Sequence, residues 1–343
     1  MFTFPVLIGD IGGTTSRFAI LPCANGEVPR LVVMPTASHE TPTLAIRSAL
    51  VELGGQPPRS AFLGIAGRVG SSVVSLTNAS WTVDAERIGI DMGLLQVTLV
   101  NDYVPVAAAT LVLDPRRVDE LVPIAPVLAC GTGARLAVGS GTGLGVSACI
   151  PVGRRHWLQS TEAGHINFGA CAADELATWP YIDRLAGRIT AEAVLSGPGL
   201  VRLYGAIARR TGALPVCEEP ADVIARAVDR EERAAPEAAR LFASLLGRFA
   251  GDLALILGTT GGVFFGGGIP RRILGLLGHG ELRTAFDHKA PFEAVMRKTP
   301  TFIITHPEPG MMGLAMVASA PEQFIFESHG WASPEACVGG DPR

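Results

Sequence analysis

The sequence predicts a mixed α/β protein of two lobes with a ligand cleft between them, on three observations. At 343 residues the chain exceeds one comfortable core, so about two domains are expected. Residues 6–21 and 136–152 each read as strand, glycine turn and strand, the pattern of a bare turn that lets backbone donors approach an anion. Between them a β-rich run, residues 95–100, stops at Asn101 and Asp102 and gives way to an alanine-rich helical segment. That is where open α/β sheets place their ligands.

Composition narrows the function classes. Hydrophobic residues make up 48% and charged residues 17%, yet Pro, Gly or a charge interrupts every apolar run before eighteen residues, so no membrane span is expected. No basic segment precedes an apolar run at the start, so no cleavable signal is expected and a cytoplasmic location is the default expectation. Net charge is −4 and lysine is almost absent, which offers nucleic acid no basic surface and makes a small molecule the expected partner. Cys23, Cys130, Cys149, Cys171, Cys217 and Cys337 are scattered without a C-x-x-C pair; they read as reduced thiols, neither a disulfide framework nor a zinc knuckle.

In the first hairpin, Val6, Leu7 and Ile8 lead to Gly9, Asp10 and Ile11. Gly12 and Gly13 then make a turn expected to use positive φ, with Thr14 and Thr15 at the turn. A carboxylate beside a phosphate site needs a cation between them, and Mg²⁺ with its water shell suits Asp10; an ordinary hairpin with an acid near its turn is the plainer reading. A third strand at 31–34 and a helix at 41–53, with Leu44, Ala45, Ala49 and Leu53 as its apolar residues, end at Gly54 and Gly55. Residues 61–66 and 73–76 are strands, and 77–81 form a polar loop ending in Trp81, which is either turn chemistry or a ring against a polyol. Asp102 is a candidate base, with helix capping by Asn101 or Asp102 as its rival.

Residues 114–127 are Pro-rich and mark a lobe boundary near residue 112. The second glycine turn, Gly139–Ser140–Gly141–Thr142–Gly143–Leu144–Gly145, is followed by a strand and not a helix, and no G-K-[ST] exists, so Rossmann and P-loop chemistry are disfavoured. Glu162 and His165 flank Ala163 and Gly164, either facing one small ligand or lying on an exposed loop; Cys171 supplies no credible zinc set. Residues 174–185 are expected to be helical, with Leu176, Trp179 and Ile182 on one side. Glu192 reads at least as a first-turn helix acid. Residues 236–257 form the clearest helix, with Leu241, Leu245, Phe249, Leu253 and Ile256 as core stripe and Gly258 as stop. Residues 261–270 make a buried strand among glycines, consistent with a packed adenine ring or a tight strand-to-helix turn.

With these residues in view, the chain resembles the bacterial glucokinase family, ATP-dependent hexose kinases of the actin, sugar-kinase and Hsp70 superfamily. The resemblance rests on GDIGGTTSR (residues 9–17), LTNxxW (76–81), VNDY (100–103), GSGTGLG (139–145), ExGH (162–165) and GGVFFGGGI (261–269), in that order along nearly the whole chain. It implies a two-lobed actin-like ATPase (ribonuclease H-like) fold with a nucleotide and sugar cleft. The expected division is 1–112 plus about 313–330 as a small α/β domain and 113–312 as a large one, with 331–343, Gly- and Pro-bearing near its end, as a frayed tail. It further implies Asp102 as catalytic base and Asn78, Asn101, Asp102, Glu162, His165 and Glu192 as sugar ligands. Asp10, Gly12, Gly13, Thr14, Gly141, Thr142, Gly143 and Gly267 would serve ATP, with Mg²⁺ carried by the nucleotide and Asp10 reaching it through water.

Thr15, Arg68 and Asn167 depart from the family pattern, where Asn, Pro and Asp are frequent. The region after His165 lacks the cysteine-rich motif of the related repressor and kinase group, so no structural zinc is expected. The resemblance implies phosphorylation of glucose at its 6-hydroxyl and a homodimer. Rivals are a kinase for another hexose and a sugar-responsive regulator that has lost turnover; Asp102, whose loss is the simplest route to inactivity, is present.

Overall fold

The computed structural model describes residues 2–24, 30–77, 79–124, 130–228, 233–278 and 280–337. Its strands begin with β1 (Val6–Ile11), β2 (Thr15–Leu21), β3 (Val32–Pro35), β4 (Ser60–Ile65), β5 (Val73–Ser75), β6 (Thr82–Asp84) and β7 (Gln96–Asn101). Then come β8 (Leu121–Pro123), β9 (Arg135–Ser140), β10 (Leu144–Val152), β11 (Arg155–Thr161), β12 (Gly262–Gly266), β13 (Thr301–Ile304), β14 (Phe324–Phe326) and β15 (His329–Ala332). The chain divides into two compact units: Met1–Val112, Ser147–Ser160 and Pro307–Arg343 in one, Leu113–Val146 and Thr161–His306 in the other.

The first unit is organised by a six-stranded sheet of order β15-β7-β4-β1-β2-β3. β1, β4 and β7 are parallel, while β2 runs back against β1. The consecutive apolar residues Val6, Leu7 and Ile8 of β1 and Ala61, Phe62 and Leu63 of β4 are all fully buried, as expected of parallel strands covered on both faces. Thr41 caps the helix Pro42–Leu53 by accepting from the Leu44 N–H at 3.3 Å, and Gly54 at φ 64° ends it. That helix buries Ala45, Ile46 and Ala49 but leaves Leu44 exposed. Trp81 is 3% exposed and its Nε1 donates to the His39 carbonyl at 3.0 Å; the ring belongs to the core.

Three features differ from the expected division. The chain returns to this unit at Pro307, because the helix Pro309–Ser319 packs on β1, β4 and the helix Tyr103–Ala109. A Cβ at Gly313 would come 1.8 Å from the Pro105 carbonyl oxygen, so glycine is what permits that approach. The parallel pairing of β11 with β14 carries Ser147–Ser160 into the first unit as well. The tail expected to fray from 331 instead pairs as β15 with β7, and Trp331 covers Gly89, where a Cβ would lie 2.2 Å from its ring. A short helix, Pro334–Cys337, follows; the remainder of that tail, 338–343, lies outside the described residues.

In the second unit β9, β12 and β13 are parallel and β8 closes the edge antiparallel to β13. The long helix Ala234–Ile256 buries Leu241, Leu245, Phe249 and Leu253, and Gly258 at φ 59° follows it. Ile256, expected in the same stripe, is 75% exposed: it lies in the last turn. The expected helix over 174–185 stops early, as Ala173–Thr178 followed by a 3₁₀ turn at Trp179–Tyr181. Pro180 removes a donor from that turn, and the shortened helix leaves Leu176 exposed while Ile182 is buried.

Candidate active site

Asp10 is the fifth residue of β1 and Asn101 the last of β7, with β4 between them. Because the three strands are parallel, Asp10 and Asp102 emerge at the same carboxyl-terminal edge, the ligand edge of open α/β sheets. Asp102 opens the helix Tyr103–Ala109 without a side-chain cap bond. Asn101 does that work: its Oδ1 accepts from the Tyr103 N–H at 3.0 Å, while its Nδ2 donates to Asp102 Oδ1 at 3.1 Å and to the Gly67 carbonyl at 3.2 Å. Helix capping therefore does not consume the Asp102 carboxylate, and a neutral amide orients it.

Asp10 keeps 24% of its side-chain surface exposed, and Arg17 Nη1 lies 3.6 Å from its Oδ2. Burial pushes its carboxyl up from the usual 3.8 to about 6; Arg17 opposes this and Glu308 adds to it. Arg17 is shared, since its Nε also pairs with Glu308. The Tyr103 phenol is pushed well above its ordinary range by burial first, then by the charges of Asp102 and Asp10.

The first glycine turn works differently from the expectation. Neither Gly12 nor Gly13 has positive φ, and Thr15 is already in β2. Gly12 is needed for space: a Cβ there would come 2.9 Å from the Thr15 carbonyl oxygen, which accepts from the Gly12 N–H at 3.1 Å. Thr36 takes up two more carbonyls, its hydroxyl donating to Gly12 at 2.7 Å and its N–H to Thr14 at 2.9 Å. The carbonyl dipoles are thus engaged by protein donors, a disposition that spares an approaching anion their repulsion.

In the second unit Gly141, Thr142 and Gly143 turn between β9 and β10, with the Gly141 N–H donating to the Gly143 carbonyl at 2.9 Å. The Gly141 carbonyl accepts from the N–H of Gly197 at 2.7 Å, at the start of the helix Gly197–Arg210. Gly267, at φ 88°, precedes the helix Gly268–Leu277, and a Cβ there would lie 2.1 Å from the Ser140 carbonyl oxygen. Two helix N-termini are thus gathered at the end of β9, favourable ground for phosphate. Residues 261–270 accordingly make a tight strand-to-helix turn.

Glu162, His165 and Glu192 come together in this unit. His165 Nδ1 lies 3.6 Å from Glu162 Oε2 and its Nε2 3.9 Å from Glu192 Oε1. Gly164 fits the turn under Leu144, whose carbonyl oxygen would be 2.5 Å from an added Cβ. Glu192 lies in the first turn of the helix Ala191–Leu195, which Thr190 caps, and its Oε2 accepts from the Leu144 N–H at 2.8 Å. Asn78, the remaining expected sugar ligand, lies outside the described residues. Cys171 Sγ is 3.4 Å from Arg248 Nη1, and among the described residues no cluster of three or more His, Cys, Asp or Glu has the disposition of a metal site.

Sequence reading missed Arg17, Thr36, Tyr103, Arg188 and Glu308. Arg17, the one charged residue of β2, was the one local signal; the other partnerships join residues distant in the chain.

The glucokinase family model matches residues 7–321. The chain belongs to the glucokinase family. A glucokinase of Brucella suis biovar 1 (strain 1330) is 39% identical over 330 residues, covering 96% of this chain and 95% of that one. The crystal structure of a glucokinase from an Antarctic psychrotroph superposes with a TM-score of 0.79 at 27% identity, covering 92% of this chain and 98% of that one. A glucokinase of the ROK family from Streptomyces griseus, solved with glucose and AMPPNP, has a TM-score of 0.62 at 19% identity over 90% of this chain and 97% of that one, a likeness of fold alone. The fold is that of the family, a two-lobed actin-like ATPase. Among the described residues no helix is long and apolar enough to cross a membrane.

Proposed function

We propose that the protein transfers the γ-phosphoryl group of ATP to the 6-hydroxyl of glucose, giving glucose 6-phosphate and ADP at the entry to glycolysis. The observation that carries this reading is Asp102, at a strand's carboxyl end, held by the Asn101 amide at 3.1 Å and spared from capping its own helix. Family membership supports the same activity.

In this reading Asp102 accepts the proton of the 6-hydroxyl as that oxygen attacks the γ-phosphorus in line; the bond to the β-phosphate oxygen breaks and ADP leaves with its electron pair. Glu162, His165 and Glu192, with Asn101 and Asn78, hold sugar hydroxyls that each need a partner once desolvated. Gly12, Gly13, Thr14, Gly141, Thr142, Gly143 and Gly267 line the phosphates and nucleoside. Mg²⁺ bound with ATP neutralises phosphate charge. One partly exposed acid, paired with an arginine that Glu308 also shares, suits an outer role toward that cation, through water, better than a protein cage.

A coupled ADP-release assay over a hexose panel, with and without Mg²⁺, tests the proposal. Glucose-dependent, Mg²⁺-dependent ADP release supports it; preference for another hexose changes the acceptor, and no release with any sugar overturns it. A cytoplasmic homodimer completes the proposal, and light scattering at micromolar protein should give twice the mass of the 343-residue chain.

A further inference from the structure

An arginine outside every motif of the site is tied to the turn that carries His165. The Arg188 Nε donates to Asn167 Oδ1 at 2.8 Å, and its Nη2 donates to the backbone carbonyl of His165 itself. Arg188 reaches them from a two-residue reversal: Leu185 and Arg188 exchange backbone bonds at 2.9 and 3.0 Å, with Ala186 at φ 47° and Gly187 at φ 79° between them. Positive φ at both central positions is the tight hairpin geometry that suits strand twist.

The segment after the reversal runs antiparallel to the one after His165. Phe168 donates to the Ile189 carbonyl at 3.0 Å, Ala191 donates to Ile166 at 3.1 Å, and Asn167 faces Thr190. Thr190 then caps the helix bearing Glu192, accepting from the Ala193 N–H at 3.2 Å. His165 and Glu192 therefore stand on two segments whose register Arg188 pins at one end and Thr190 at the other. A guanidinium donating to two acceptors of one segment in fixed geometry is suited to this work, as a single-point ammonium is not.

We infer that Arg188 is a positioning residue for the sugar site, fixing the His165 turn against the Glu192 helix through the Asn167 side chain and the His165 carbonyl. The inference rests on the glucose-binding role proposed for His165 and Glu192. Asn167, where the family pattern frequently has Asp, then has a defined part: its amide oxygen accepts from Arg188.

The test is glucose titration by calorimetry without nucleotide, together with steady-state kinetics and backbone amide exchange over residues 165–168. Arg188→Ala should weaken glucose binding and raise the glucose KM about fivefold to tenfold, the loss of one or two charge-assisted bonds, with the ATP KM within about twofold. Exchange at 166 and 168 should quicken, and Arg188→Lys should restore part of the affinity. Asn167→Asp should be tolerated in the parent and harmful in the Arg188→Ala background, a non-additive pair. Unchanged glucose affinity in Arg188→Ala, or equal loss toward glucose and ATP, overturns the inference. If the parent protein neither binds nor phosphorylates glucose, the functional reading has failed, and exchange alone decides the tie: unchanged rates in Arg188→Ala remove it, and faster rates retain it as a support of that turn.

Discussion

The backbone N–H of Leu144 donates to Glu192 Oε2 at 2.8 Å. This bond ties the glycine turn expected to meet ATP to the acid expected to meet the sugar, while the second oxygen of Glu192 faces His165 at 3.9 Å. One carboxylate thus serves two segments. Glu192→Ala should raise the KM for both glucose and ATP, glucose by roughly tenfold to a hundredfold, because it removes a ligand and leaves a donor unpaired. Glu192→Gln retains an acceptor for Leu144 and should spare ATP. Kinetics with each substrate varied in turn separate the two; an ATP KM unchanged in Glu192→Ala would show that the turn does not depend on this bond.

Asp102→Asn should leave glucose binding largely intact while turnover falls by roughly two to four orders of magnitude, the loss expected for a general base. The Asn101 amide would lose its acceptor only in part, since an amide oxygen still accepts. Near-parental turnover, read in the coupled assay, would remove Asp102 from the proton transfer.

Asp10 couples function to stability. Its carboxyl titrates at about 6 in the folded protein against 3.8 for an ordinary Asp. Between those values the folded state holds the extra proton, so Asp10 makes stability fall as pH rises through the window, and the cost is fully present above about 6. A difference of about two pH units corresponds to at most about 3 kcal/mol, an upper bound because a quarter of the side chain meets solvent. Asp10→Asn should therefore raise the melting temperature of the ligand-free protein at pH 7.5 and flatten its decline between pH 4 and 6, while impairing nucleotide-dependent turnover. Parallel melting curves for the two proteins from pH 4 to 8 would refute the assignment.

Gly267→Ala should cost at least about 2 kcal/mol or abolish soluble expression, since it combines φ 88° with a Cβ 2.1 Å from the Ser140 carbonyl oxygen. The control is Gly275→Ala, inside the helix Gly268–Leu277 where an added Cβ meets nothing within 4 Å; there alanine should stabilise by about 0.5–1 kcal/mol. Urea denaturation of both variants makes the comparison.

Local chemistry was legible in the sequence by itself. Strand, glycine turn and strand at 6–21 and at 136–152, the strand stopping at Asn101, the capped helix Pro42–Leu53 and the buried face of Ala234–Ile256 all depend on neighbours within one or two turns, so periodicity and punctuation suffice. The order of the short motifs, also a one-dimensional property, pointed to the family. What only the tertiary structure decided are relations between distant residues. The φ of Gly12 and Gly13 yielded to the contacts of Thr15 and Thr36. Ile256 fitted the helical period and stayed exposed, because burial needs a partner surface and periodicity supplies none. The sharing of Arg17 between Asp10 and Glu308 joins residues nearly three hundred positions apart, and the Arg188 tie to His165 spans 23. Such pairs form because folded segments bring complementary charges and hydrogen-bonding groups within a few ångströms, a proximity that no spacing along the chain encodes.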